Sequence, residues 1–158
     1  MTVNKYRGEV ALPKLGEGAF ICFDLDDLAS IETLYGLQFF GKVEEVVQAQ
    51  SAPGITKIMR IALRERRNGK VERIGEDFDA YALHQAGFVF GDLAKPILDA
   101  LSESYLGKSY DDLVKAAVDA RKEQMKATIA QAKEAAKESD VPFEALLSAL
   151  LMPQTGQE

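Results

Sequence analysis

Few residues in this 158-residue sequence have the types and spacings that catalysis uses. Cys22 is the only cysteine and His84 the only histidine. A thiolate nucleophile needs a neighbouring base or an electropositive setting. Cys22 lies instead in the apolar run Phe20-Ile21-Cys22-Phe23 and reads as a buried small hydrophobe. One Cys and one His give no zinc-type spacing, and a single cysteine cannot form an internal disulfide. His84 stands in Tyr81-Ala82-Leu83-His84-Gln85 with no partner motif beside it.

Carboxylates cluster at Asp24, Asp26 and Asp27, and again at Glu76, Asp77 and Asp79. Hard cations take such oxygens, but a calcium loop needs further ligands and a closing Glu at fixed positions. Helix starts explain both groups more simply, because an Asp at the N-cap accepts backbone N–H groups and acidic side chains suit the positive end of the helix dipole. Gly16-Glu17-Gly18 precedes a strand rather than a helix, the wrong context for a dinucleotide loop. The one basic run carries Arg60, Arg64, Arg66, Arg67 and Lys70, interrupted by Glu65. It reads as the solvated end of a helix, with cations near the negative dipole, in preference to a phosphate site. The expectation is a protein that is not an enzyme, with no metal and no cofactor.

Composition points the same way. The formal net charge is -6, which disfavours nucleic acid as a partner, since phosphate binding needs clustered Lys and Arg. At 47% hydrophobic the chain can build a core. No apolar run approaches the roughly 18 residues of a membrane span, and the first residues lack the apolar stretch of a secretion signal, so the expected location is the cytoplasm.

The elements that would position these residues are mostly helices. Gly8-Glu9-Val10-Ala11-Leu12 and Ala19-Phe20-Ile21-Cys22-Phe23 read as two strands of an N-terminal hairpin, separated by a turn-rich loop. A lone hairpin is only marginally stable, so helices must cover one face. Asp24 or Asp26 caps a first helix with Leu28, Ile31, Leu34 and Tyr35 on one face, ending at Gly36. A second is expected over residues 37–50, with Phe39, Phe40, Val43, Val46 and Val47 as its apolar stripe. A third is expected over 55–67, with Ile55, Ile58, Met59, Ala62 and Leu63 on one side; Asn68-Gly69 then turns the chain and residues 70–75 form a polar link. A short helix over 77–85 points Phe78, Tyr81 and Ala82 inward. The next starts near Asp92 or Leu93, so that Pro96 falls in its first turn, and ends at Gly107. Leu93, Ile97, Leu98, Leu101 and Tyr105 form its inward stripe.

From Ser109 the composition changes. Ser109-Tyr110-Asp111-Asp112 resembles a capping box, and Ala, Lys, Glu, Gln and Arg dominate residues 113–137 without Gly or Pro. A helix of that length spans roughly 40 Å. Its apolar face is thin: Val114, Val118, Met125, Ile129, Ala132 and Ala136, broken by Arg121. It is either a solvated helix packed along part of its length or a short heptad seam that pairs with a partner. Phe143, Leu146, Leu147, Leu150 and Leu151 then share one face of a short helix ended by Pro153, and residues 154–158 read as disordered. That helix either folds back onto the body or docks in a partner's groove. The expected partner-binding residues are Phe39, Phe40, Phe143, Leu146, Leu147, Leu150 and Leu151. The fold expectation is mainly α with a small N-terminal β-hairpin, an α+β class, with a core domain at 1–107 and a helical extension at 108–158.

The order of these segments resembles one known family. Asn4-Lys5-Tyr6-Arg7-Gly8-Glu9-Val10-Ala11-Leu12 is similar to the short RGEV strand that opens tail proteins of gene transfer agents and related tailed phages. Leu28-Ala29-Ser30-Ile31-Glu32-Thr33-Leu34-Tyr35-Gly36 resembles that family's LxxIE helix and following glycine. Ile55 to Leu63 and Leu93 to Leu101 are similar to its later amphipathic and apolar helices. The resemblance covers residues 4–107 and rests on order and spacing; the segment after Gly107 departs from it.

The family is described as a phage tail assembly chaperone and has also been labelled a tail tube protein. The resemblance implies a protein that coats the tape measure protein during tail assembly in a bacterial host cell. Tube subunits are a further implied partner, and weak self-association is expected. A chaperone that covers a long apolar helix would keep it from aggregating. The alternative is a structural tail protein, a tube or terminator subunit, which needs more β-sheet than two strands. A pocket-based enzyme or small-molecule binder is the third reading.

Overall fold

The computed structural model describes residues 8–85 and 87–152. The chain divides into two units, 1–112 and 113–158. The fold is mainly helical with a small antiparallel sheet. The expectations for residues 4–7, for the Ala86 half of a helix stop, for Pro153 and for residues 154–158 lie outside the described residues.

The first unit opens with β1 (Val10–Ala11), one 3-10 turn (Pro13–Leu15) and β2 (Ala19–Ile21). Two further strands follow the third helix, so the sheet is larger than the expected hairpin: β3 (Leu63–Arg67) and β4 (Lys70–Arg73) complete the order β1-β2-β3-β4. Phe20 lies opposite both Ala11 and Arg64, and Arg64 opposite Arg73. The β3–β4 turn is Asn68-Gly69, both at positive φ (51° and 78°), the geometry a two-residue hairpin requires and Gly supplies without a steric cost.

Helix α1 (Leu25–Tyr35) starts at Asp24. The Asp27 N–H donates to Asp24 Oδ1 at 2.9 Å and the Asp24 N–H donates to Asp27 Oδ2 at 3.0 Å, a reciprocal cap. Helix α2 (Phe39–Gln48) buries Phe39, Val43 and Val47. Ser51 caps α3 (Ala52–Ala62), accepting from the Gly54 N–H. This helix buries Ile55, Ile58, Met59 and Ala62, as its spacing predicts, but it stops five residues before Arg67. The residues expected to end it are β3, and the expected polar link is β4. Helix α4 (Ala80–Gln85) is shorter than expected and turned: Tyr81 and Ala82 face solvent, while Phe78 and Ala80 are buried. Helix α5 (Gly91–Leu106) contains Pro96 at its sixth residue, past the first turn, and buries Leu93, Ile97, Leu98 and Leu101 while Tyr105 stays half-exposed. Gly107 ends it in the left-handed conformation.

The core gathers Ile21, Ile31, Val43, Val47, Ile55, Ile58, Met59, Leu93, Ile97 and Leu101, all without solvent contact. Each such side chain contributes about 1.5–3 kcal/mol on leaving water. This burial packs α1, α2, α3 and α5 on one another, and α5 against β1 and β2.

In the second unit, α6 (Tyr110–Glu138, begun in the first unit) runs 29 residues, and α7 (Phe143–Leu151) follows. Ser109 Oγ accepts from the Asp112 N–H at the start of α6. On α6, Ala132 is buried and Ile129 and Ala136 are half-buried, whereas Val114, Val118 and Met125 are exposed. No residue of α7 is fully buried.

Candidate functional site

The densest polar arrangement lies where the start of α1 meets the β3–β4 hairpin. Arg64 reaches from β3 with its side chain almost wholly buried. Its guanidinium donates to Asp24 Oδ2 at 2.9 Å, to Asp27 Oδ2, and to the carbonyls of Cys22 and Ala62. Arg73, on the neighbouring strand, donates to Asp27 Oδ1 at 2.6 Å and to Asp24 Oδ2 at 3.2 Å. Two carboxylates and two guanidinium groups therefore neutralise one another. Beside them Arg66 forms a two-pronged pair with Glu9, at 3.0 and 3.1 Å, and its guanidinium lies 5.0 Å from the Phe20 ring centre. The basic run is thus not a solvated helix end. Arg64 and Arg66 are drawn inward because each meets a carboxylate from another element, and a buried charge persists only when so paired.

Burial pushes the Asp24 carboxyl upward, but the Asp27 N–H and the charges of Arg64 and Arg73 outweigh it and hold the group below the ordinary carboxylate range. Burial pulls the Arg64 guanidinium down; its bond to Asp27 and the nearby carboxylates more than restore it. Burial raises the Cys22 thiol, against the opposing effect of Arg64. Cys22 is therefore held as a thiol, although Arg64 Nη1 lies 3.5 Å from its sulfur.

A cleft of about 470 Å³ borders this cluster. Its lining combines Phe20, Phe23, Leu28 and Val71 with Glu9, Asp24, Arg64, Arg66 and Cys22. Its guanidinium groups are already engaged by carboxylates, so it offers paired charge and apolar wall rather than an open cation for an anionic substrate. His84 does not line it; that ring sits on α4, with Nδ1 3.3 Å from the Phe88 carbonyl and its plane against Phe90. Among the described residues no group of three or more His, Cys, Asp or Glu side chains is arranged to hold a metal.

The expected partner-binding residues fall in two places. Phe39 and Phe40 share a smaller cleft of about 230 Å³ with Leu37 and Tyr105. Phe39 is a core residue there, packed edge-on to Tyr105 at 4.9 Å, so of the two only Phe40 offers surface, beside exposed Leu37 and half-exposed Tyr105. The other five lie on α7 in the second unit. Phe143, Leu146 and Leu147 are half-buried, and Leu150 and Leu151 are about half exposed, followed by Met152 at 70%.

The chain matches no protein-family model, no curated protein and no solved structure among those compared. Among the described residues no helix is long and apolar enough to cross a membrane.

The Arg64–Asp27 pair was not expected from sequence. Its only signal was a cation set directly after the apolar run Ile61-Ala62-Leu63, which an amphipathic helix explains equally well.

Proposed function

We propose that this protein is a non-enzymatic tail assembly chaperone of a phage or prophage, which binds the tape measure protein and, secondarily, tube subunits in the host cytoplasm. The observation that supports this most is the second unit's surface. Val114, Val118 and Met125 lie exposed on one long helix, and Leu150, Leu151 and Met152 at the end of another. Large apolar side chains at helical spacing, left in water on an Ala- and Lys-rich helix and at the end of a Leu-rich one, suit reversible cover for another apolar helix. The order of segments across residues 4–107, shared with the tail chaperone family by resemblance, supplies the identity of that helix. The acidic balance of the chain, -6 overall, keeps such a subunit soluble while its apolar surface waits for a partner.

Mass spectrometry of purified tail particles tests this reading. A chaperone is absent from the finished particle, and its presence at stoichiometric level would refute the proposal.

A second reading, a structural tail subunit, draws on the exposed edge strand β4, which among the described residues pairs with β3 alone. Neighbouring subunits of a tube add strands at such edges. The sheet's strands are only two to five residues long, which disfavours it.

A further inference from the structure

We infer that the Asp24–Asp27–Arg64–Arg73 cluster is a conformational latch: it holds residues 63–67 as a strand where their own chemistry specifies helix, and when it opens α3 extends through Arg67.

The boundary between α3 and β3 has no local cause. Neither Gly nor Pro occurs between Gly54 and Gly69. The Leu63 N–H still donates to the Met59 carbonyl, as the next helical residue would, and only its ψ of 128° turns the chain into the sheet. Leu, Arg and Glu, which fill all of β3, are strong helix formers. Asn68-Gly69 serves a helix C-terminus as readily as a hairpin turn. A helix continued to Arg67 would place Leu63 four residues after Met59, on the same apolar stripe.

What opposes this is the cluster, with the Arg66–Glu9 pair and the strand ladder beside it. Arg64 and Asp27 are both buried, and each is tolerable there only with the other. Strand β4 buries no side chain, so Arg73 on the two carboxylates is its main tie to the body besides its pairing with β3. The start of α1 does not depend on the latch, because Asp24 and Asp27 also cap each other through their backbone N–H groups. Opening the cluster therefore leaves the helices in place and changes the sheet from four strands to two.

The test is residue-specific Cα chemical shifts for 63–67 in the full chain. In Asp27→Asn/Arg64→Leu the shifts are expected to change from strand to helix sign. In Asn68→Ala/Gly69→Ala, with the latch intact, they are expected to stay strand-like. Strand shifts persisting in the first variant, or helix shifts in the second, would overturn the inference. So would loss of all helical signal in the first variant, because the cluster would then hold the whole domain rather than select one segment. Arg73→Gln provides a milder measurement at an exposed side chain. It is expected to raise amide exchange at 64–67 by about tenfold or more without changing α5, and an equal effect on both, or none, would count against the latch.

Discussion

Arg64 and Asp27 stand 37 residues apart in sequence, yet their side chains meet with 6% and 1% exposure and join the sheet to the first helix. Replacing Arg64 by Leu removes the buried partner of the Asp27 carboxylate and leaves it the half-exposed Arg73. The expected loss of unfolding free energy is about 3–5 kcal/mol, the usual cost of leaving one partner of a buried pair. Adding Asp27→Asn should recover part of that loss. Urea unfolding of the two single variants and the double variant measures both; a double variant as unstable as the sum of the singles would contradict the pairing.

Acid stability follows from Asp24. Its folded carboxyl is held below the ordinary range, whereas the unfolded value is about 3.9. A group whose folded value is lowered contributes stability that is complete above the unfolded value and is lost as pH falls through the folded one. Unfolding free energy should therefore decline as the pH drops below about 5, and Asp24→Asn should flatten part of that decline. An unchanged slope in the variant would show that other carboxylates carry the effect.

Cys22 should react slowly. Burial raises its thiol, so little thiolate exists near neutral pH despite the adjacent guanidinium. Modification by a disulfide reagent near pH 7 is expected to be slower than that of an unstructured thiol, and to accelerate in denaturant. Reaction as fast in the folded protein would mean an activated cysteine and would reopen the enzymatic reading.

The parts of the fold that repeat at helical spacing were legible from sequence. Ile55, Ile58, Met59 and Ala62, or Phe39, Val43 and Val47, bury the faces their periods predict. The cap of α1 was legible to within Asp24 or Asp26, because capping is a local interaction; the structure selects Asp24. Strands β3 and β4 were not, since Leu63-Arg64-Glu65-Arg66-Arg67 satisfies a helix and only Asp27 and Glu9, distant in sequence, draw it into the sheet. Tyr81 was assigned inward because a six-residue helix gives too short a stripe to fix its rotation; Ala80 took the buried position instead. At the candidate partner surface, spacing identified the apolar residues of α7, but it could not separate exposed Leu150 from buried Phe39.

Gly54 should resist enlargement. A Cβ there would lie 2.2 Å from Val46 Cγ1, on the packed side of α3 against α2. Gly54→Ala is expected to destabilise by about 1–3 kcal/mol, although alanine is the better helix former. A neutral or stabilising result in thermal unfolding would show that the two helices separate freely.

Under the proposed function, the exposed helices of the second unit cover a partner. Its most direct test is co-expression of the full chain with neighbouring proteins of its own genome, followed by co-purification with and without residues 139–158. Capture of a long helical tape measure segment by the full chain is expected, with markedly weaker capture by the truncated one. A chain that purifies alone with every neighbour, yet assembles into tubes, would contradict it.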